Sequence, residues 1–193
     1  MHFDPTTALV VVDVQNDFAD PTGSLSVAGA EGVVDRVNTE IAAAVSARAS
    51  VVYTQDWHPE STPHFAKDGG AWPVHCVAGS WGAALHPRLH VDGPIVRKGS
   101  DGEDGNSGFT MRDPLTGTTA PMELGALLRE RGIRRVVVVG LATDYCVKAT
   151  GLDARALGYA TTVLSAAVAA VDLRPGDGER ALAELRKAGV TVE

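Results

Sequence analysis

Only two cysteines, Cys76 and Cys146, occur in the 193 residues. A disulfide-stapled secreted fold needs a larger, regularly spaced set, so that architecture is excluded. Each thiol is open to being a packed side chain, a metal ligand or a nucleophile. Long apolar runs are missing too: the stretches at 8–12 and 136–139 fall far short of the ~20 residues that span a bilayer. Positive charge is sparse and scattered, with 17 Lys and Arg against 24 Asp and Glu, a net charge of −7. Nucleic acids and anionic membranes both require a cationic face, so neither is expected as a partner. The first residues carry no basic stretch and no apolar core of a signal sequence, and a cytoplasmic location is expected. There is no internal repeat, no P-loop and no dinucleotide-binding GxGxxG.

What is present belongs to an ordinary globular protein: 45% hydrophobic, 21% charged and 5% aromatic residues. The length suits one domain over 1–193. Continuous β-branched runs at 8–12 and 135–140 read as strands buried on both faces. Further strands are expected at 50–55, 94–97 and 160–165, with an edge strand at 190–192. Helical spacing of apolar residues marks 31–48, a segment from Pro121 through Leu128 to Gly132, a helix from Thr143 or Asp144 to Gly158, and 178–187. This alternation predicts an α/β fold: a mainly parallel sheet with helices on both faces and right-handed crossovers. Two stretches break the rhythm. Residues 56–93 hold all three tryptophans and most of the histidines, and 99–119 are rich in Gly, Asp, Ser and Thr. Long loops in a compact domain are usually functional.

Ligands of open α/β sheets bind beyond the carboxyl ends of the strands. Residues just past those ends are Asp13, then Asp56 and His58, then Lys98, then Cys146. Taken singly, Cys146 reads as a buried thiol, Asp13 as a turn former and Lys98 as a solvated lysine. Together they can form a site: a cysteine in a first helical turn, a cation to stabilise its thiolate and a carboxylate to carry the proton. Asp56 and His58, two apart on extended backbone, face one side and could grip one ion. His64 and His75 would return from the loop to join them. This oxygen and nitrogen set suits zinc, manganese or iron. Cys76 beside His75 reads as a packed thiol, and His86 and His90 as surface or capping residues.

Several strings carry a family resemblance: VVDVQNDF at 11–18, QDWHP at 55–59, WPVHC at 72–76, RKG at 97–99 and GLATDYCVK at 140–148. The sequence closely resembles nicotinamidases of the isochorismatase-like cysteine hydrolases, in order from Ala8 to about Gly158. The resemblance implies a three-layer α-β-α fold and a triad of Asp13, Lys98 and Cys146. It implies one divalent ion, zinc favoured, on Asp56, His58 and His75 with His64 as a further ligand. It also implies a cis peptide between Leu141 and Ala142, an oxyanion hole from the Ala142 and Cys146 amides, and a substrate ring packed by Phe18 and Trp72. The implied activity is deamidation of nicotinamide, a small molecule, to nicotinate and ammonia through a cysteine thioester, a step of NAD salvage. A homo-oligomer stays open. So do two other readings: a relative acting on a carbamoyl or ureido substrate, and a non-catalytic ligand-binding member. The sequence departs from the family at Asn106, where a tyrosine is common, and at 20–23.

Overall fold

The computed structural model describes residues 2–193. Strand β1 (Thr7–Val12) is buried at every position, as its unbroken apolar run requires. Around it form β2 (Ser50–Asp56), β3 (Ile95–Lys98), β6 (Arg135–Leu141), β7 (Ala160–Ala169) and β8 (Thr191–Val192). The sheet order is β3-β2-β1-β6-β7-β8, and every pairing in it is parallel. The expected mainly parallel sheet is therefore wholly parallel. The chain winds from β1 to β2 and β3 on one side, then returns to the other side of β1 with β6. That reversal makes a crevice at the carboxyl ends of β1 and β6.

Alternation along the strands splits the core in two. Leu9, Val11, Val137 and Val139 pack with Val33, Val37 and Ile41 of helix α2 (Ala30–Ser46). Ala8, Val10, Val136 and Val138 pack with Leu124 and Leu128 of α3 (Glu123–Glu130), Ala154 of α4 (Lys148–Ala156), and Leu182 and Leu185 of α5 (Asp177–Lys187). The outcome is the three-layer α-β-α arrangement. A short helix, α1 (Asn16–Ala19), follows β1 directly. Among the described residues, no helix is long and apolar enough to cross a membrane.

Three local expectations are corrected. Pro121 does not open a helix. It ends β5 (Thr119–Pro121), which pairs antiparallel with β4 (Thr110–Arg112), and α3 starts only at Glu123. Pairing with Thr110 holds this proline extended, and local propensity gives way. The fifth strand of the central sheet runs on to Ala169, past a register shift opposite Val138 and Gly140. The segment after β6 begins with a π-helical turn, Thr143–Val147, before α4.

Gly140 sits beside that shift with φ 108°, and a Cβ there would run into the Val12 carbonyl. Gly140→Ala should therefore destabilise the protein by about 2–4 kcal/mol, since strain and clash act together. Urea denaturation measures it, and wild-type stability in this variant would contradict the packing described.

Candidate active site

Four adjacent strands each deliver one functional group to the same rim. Lys98 ends β3, Asp56 ends β2, Asp13 follows β1, and Cys146 lies in the π-helical turn after β6. Asp56 and Lys98 are register partners. Asp13 turns off the strand with φ 48°, a conformation that Asp tolerates better than most residues. Lys98 is not solvated: its side chain is 0% exposed. Its Nζ lies 2.6 Å from Asp56 Oδ1 and 2.8 Å from Asp13 Oδ2, and it donates to Cys146 Sγ at 3.6 Å. Asp13 Oδ1 accepts from the Thr54 hydroxyl at 2.6 Å. The Oδ2 contact lacks hydrogen-bond alignment, which leaves that oxygen able to take a proton.

Burial and charge set the protonation states. Burial pushes Asp13 up, only partly offset by Lys98, while Asp56 raises it further. Burial also raises Asp56, but Lys98, His58 and His75 outweigh it and hold this carboxyl at about 2. Lys98 is lowered by burial, yet Asp13 and Asp56 keep its ammonium well above the ordinary lysine range. Cys146 is raised well above an ordinary thiol, first by burial and then by Asp13 and Asp56, against the opposing pull of Lys98. Burial and the two carboxylates therefore oppose the Cys146 thiolate, and Lys98 favours it. Burial also raises Asp13, so the thiol and this carboxyl both lean toward their protonated forms.

The histidines gather next to this cluster. His58, His64 and His75 bring ring nitrogens within 4.8 Å of one another. His75 Nδ1 donates to the Pro73 carbonyl at 2.7 Å, and His64 Nδ1 lies 2.9 Å from Asp104 Oδ1. Both rings therefore keep Nε2 in reserve. Both nitrogens of His58 are buried without a hydrogen-bond partner, and its Nε2 is 3.9 Å from Asp56 Oδ2. Gly99, with φ 75°, makes room for this ring, because a Cβ would strike the imidazole. Burial lowers His75, and lowers His58 to about 4, so both stay neutral, the form that binds metals. Orphaned buried nitrogens, neutral rings and an ionised carboxylate fit a divalent cation. Asp13, Asp56 and Cys146 also cluster. Lys98 already occupies their carboxylates, and its charge repels a second cation there.

Cys146 and the three histidines open into one cavity. Phe18 and Trp72 both line it, and Phe18 packs 5.6 Å from the His75 ring. Ala142 and Cys146 form part of the wall, the Leu141–Ala142 peptide is cis, and the Ala142 N–H has no protein partner among the described residues. Asp56, His58, His64 and His75 line the cavity too, whereas Asp13 and Lys98 do not line it: Lys98 contacts Asp56 and Cys146 of the wall, and Asp13 contacts Lys98. Cys76 is buried and free, with its N–H donated to Asp17. His86 accepts the Arg88 N–H, a capping contact.

Five contributors escaped the sequence reading. Thr54 holds Asp13, and Asp104 holds His64. Tyr145 meets Trp72 edge-on at 4.9 Å. Asn106, noted only as a departure from the family, has its Oδ1 3.6 Å from Cys146 Sγ. Gln15 clamps the Asp56 backbone, accepting its N–H and donating to its carbonyl, both at 2.8 Å. Gln15 and Tyr145 had a signal in their places within the quoted strings, and Asn106 in its departure from the family; Thr54 and Asp104 act only through contacts distant in sequence.

The sequence matches the isochorismatase domain over residues 7–193. It is 36% identical to the nicotinamidase of Escherichia coli (strain K12), over 97% of this chain and 94% of that one. Pyrazinamidase of Pyrococcus horikoshii in complex with zinc superposes with a TM-score of 0.87 at 37% identity, covering 98% of this chain and 99% of that chain. PnC1 from L. infantum in complex with nicotinate superposes with a TM-score of 0.88 at 39% identity, covering 100% and 95%.

The buried histidine gives the metal-free protein a pH dependence. His58 takes up a proton near 6.5 when unfolded but only near 4 when folded. The unfolded chain binds more protons between those values, so stability should fall as pH drops from 6.5 toward 4. Thermal denaturation across that window should show a slope that His58→Gln flattens; equal stability at both ends would contradict the neutral, buried ring.

Proposed function

The chain belongs to the isochorismatase family, and on that premise we propose that it hydrolyses nicotinamide to nicotinate and ammonia, as a cysteine amidohydrolase with one divalent metal ion. One observation carries the reading: Cys146, backed by the buried Lys98 and Asp13, opens into the same cavity as the histidine set. Neither a binding module nor a structural protein needs a nucleophile with its own proton carrier.

Asp13 takes the thiol proton as Sγ attacks the carboxamide carbon. Lys98 remains cationic and compensates whichever partner is negative, so charge is never stranded in the interior. The oxyanion accepts hydrogen bonds from the Ala142 and Cys146 amides, each worth about 3–4 kcal/mol of barrier in acyl transfer. Asp13 then protonates the departing nitrogen, and ammonia leaves a nicotinoyl thioester on Cys146. A water gives its proton to Asp13 and attacks the thioester. Collapse releases nicotinate, and the Cys146 thiolate recovers its proton. Phe18, Trp72 and Tyr145 enclose the ring. Asp56, His58, His75 and His64 would hold the ion, zinc in our reading, as an electrophilic anchor for the pyridine nitrogen rather than as a source of hydroxide.

We read residues 1–193 as one domain serving NAD salvage. Two free thiols fit the reducing cytoplasm, where we place it.

Ammonia release should be seen with nicotinamide and its pyrazine analogue; preference for N-carbamoyl compounds would redirect the assignment within the family. Cys146→Ala should lower turnover by roughly 10³-fold or more with the fold intact, and Asp13→Asn by about 10²–10⁴-fold. A Cys146→Ala enzyme that still turns over would rule out the thioester. Removing metal with a chelator should weaken nicotinamide binding, read by calorimetry; unchanged affinity in verified metal-free protein would remove the ion from substrate recognition.

A further inference from the structure

His64 and Asp104 come from separate excursions of the chain, one after β2 and one after β3. Their contact is short, Nδ1 to Oδ1 at 2.9 Å, and the His64 side chain is only 11% exposed. Asp104 faces that ring nitrogen with a carboxylate oxygen. Its backbone is fixed at both polar groups: Asp104 N–H donates to the Arg112 carbonyl at 2.7 Å, and Arg112 N–H donates back at 2.6 Å. Asp104 is thus anchored to the base of β4 while its side chain reaches to the histidines. Gly105 and Asn106, the next two residues, line the cavity, and Asn106 Oδ1 lies against the Cys146 thiol. A continuous path therefore runs from the histidine cluster through Asp104 to the wall facing the nucleophile.

A histidine on a loop can present either ring nitrogen to an ion; the hydrogen bond made by the other nitrogen decides which. A carboxylate on Nδ1 fixes ring orientation and strengthens Nε2 as a ligand. We infer that Asp104 is a positioning residue that commits His64 to the metal through Nε2 and makes metal binding order the 104–106 wall beside Cys146. This rests on the histidine cluster being the metal centre.

Zinc affinity, measured by competition with a chromophoric chelator, and hydrogen–deuterium exchange with and without zinc test it. Wild-type protein should bind zinc and show slower exchange at 104–106 when loaded. Asp104→Ala should weaken zinc binding by about 10–100-fold and lose protection at 104–106, while zinc still protects the backbone around His58 and His75. Asp104→Asn keeps an acceptor oxygen and should retain most of the affinity. Unchanged zinc affinity in Asp104→Ala, or undiminished protection at 104–106, would overturn the inference. So would equal loss in both variants together with lowered melting of the zinc-free proteins, which would mark a merely structural contact. Wild-type protein that takes up no zinc would instead overturn the metal centre itself, and the inference with it.

Discussion

The site is organised around one buried ammonium. Lys98 Nζ sits between Asp13 and Asp56 with no solvent on its side chain. Taking such ions out of water costs several kcal/mol each, and only close pairing returns it. Placement is therefore demanding, and the parallel sheet meets the demand by register: β3, β2 and β1 lie side by side, Lys98 and Asp56 end the first two, and Asp13 directly follows the third. With both carboxylates ionised the trio carries one net negative charge. That charge, together with burial, raises the pKa of the neighbouring Cys146 thiol, against the pull of Lys98.

Asp56 belongs to two centres at once. Oδ1 is held by Lys98, while Oδ2 faces His58. Charge placed among the histidines is therefore felt by the ammonium and, through it, by the thiol. Burial keeps the rings neutral and so ready to act as ligands, at the expense of stability in acid. A protonated imidazole cannot ligate a metal, so neutral rings are the form that the proposed metal centre requires.

The residues after β1 hold the surroundings in place. Gln15 pairs with the Asp56 backbone as a neighbouring strand would and also reaches the Ala83 carbonyl. Asp17 accepts the N–H groups of Cys76 and Ser24. A few polar side chains next to Asp13 thereby tie the long 56–93 excursion to the sheet. Its histidines would otherwise ride on a loose loop, where ordering them would consume binding energy.

By itself, the sequence determined the parallel α/β sheet, because strands buried on both faces must be apolar throughout, and that pattern is local. It also determined which residues stand at or just past the strand ends: Asp13, Asp56, Lys98 and, in the turn after β6, Cys146. Pro121 shows the limit: its helix-start preference lost to pairing with Thr110. Burial of Lys98, the raised pKa of Cys146, and the parts played by Thr54, Asp104 and Asn106 were decided only by the tertiary structure. Each depends on groups about 40 or more positions apart meeting in a water-poor interior. The charge state of a group follows from what surrounds it in space, and the order of residues along the chain does not contain that.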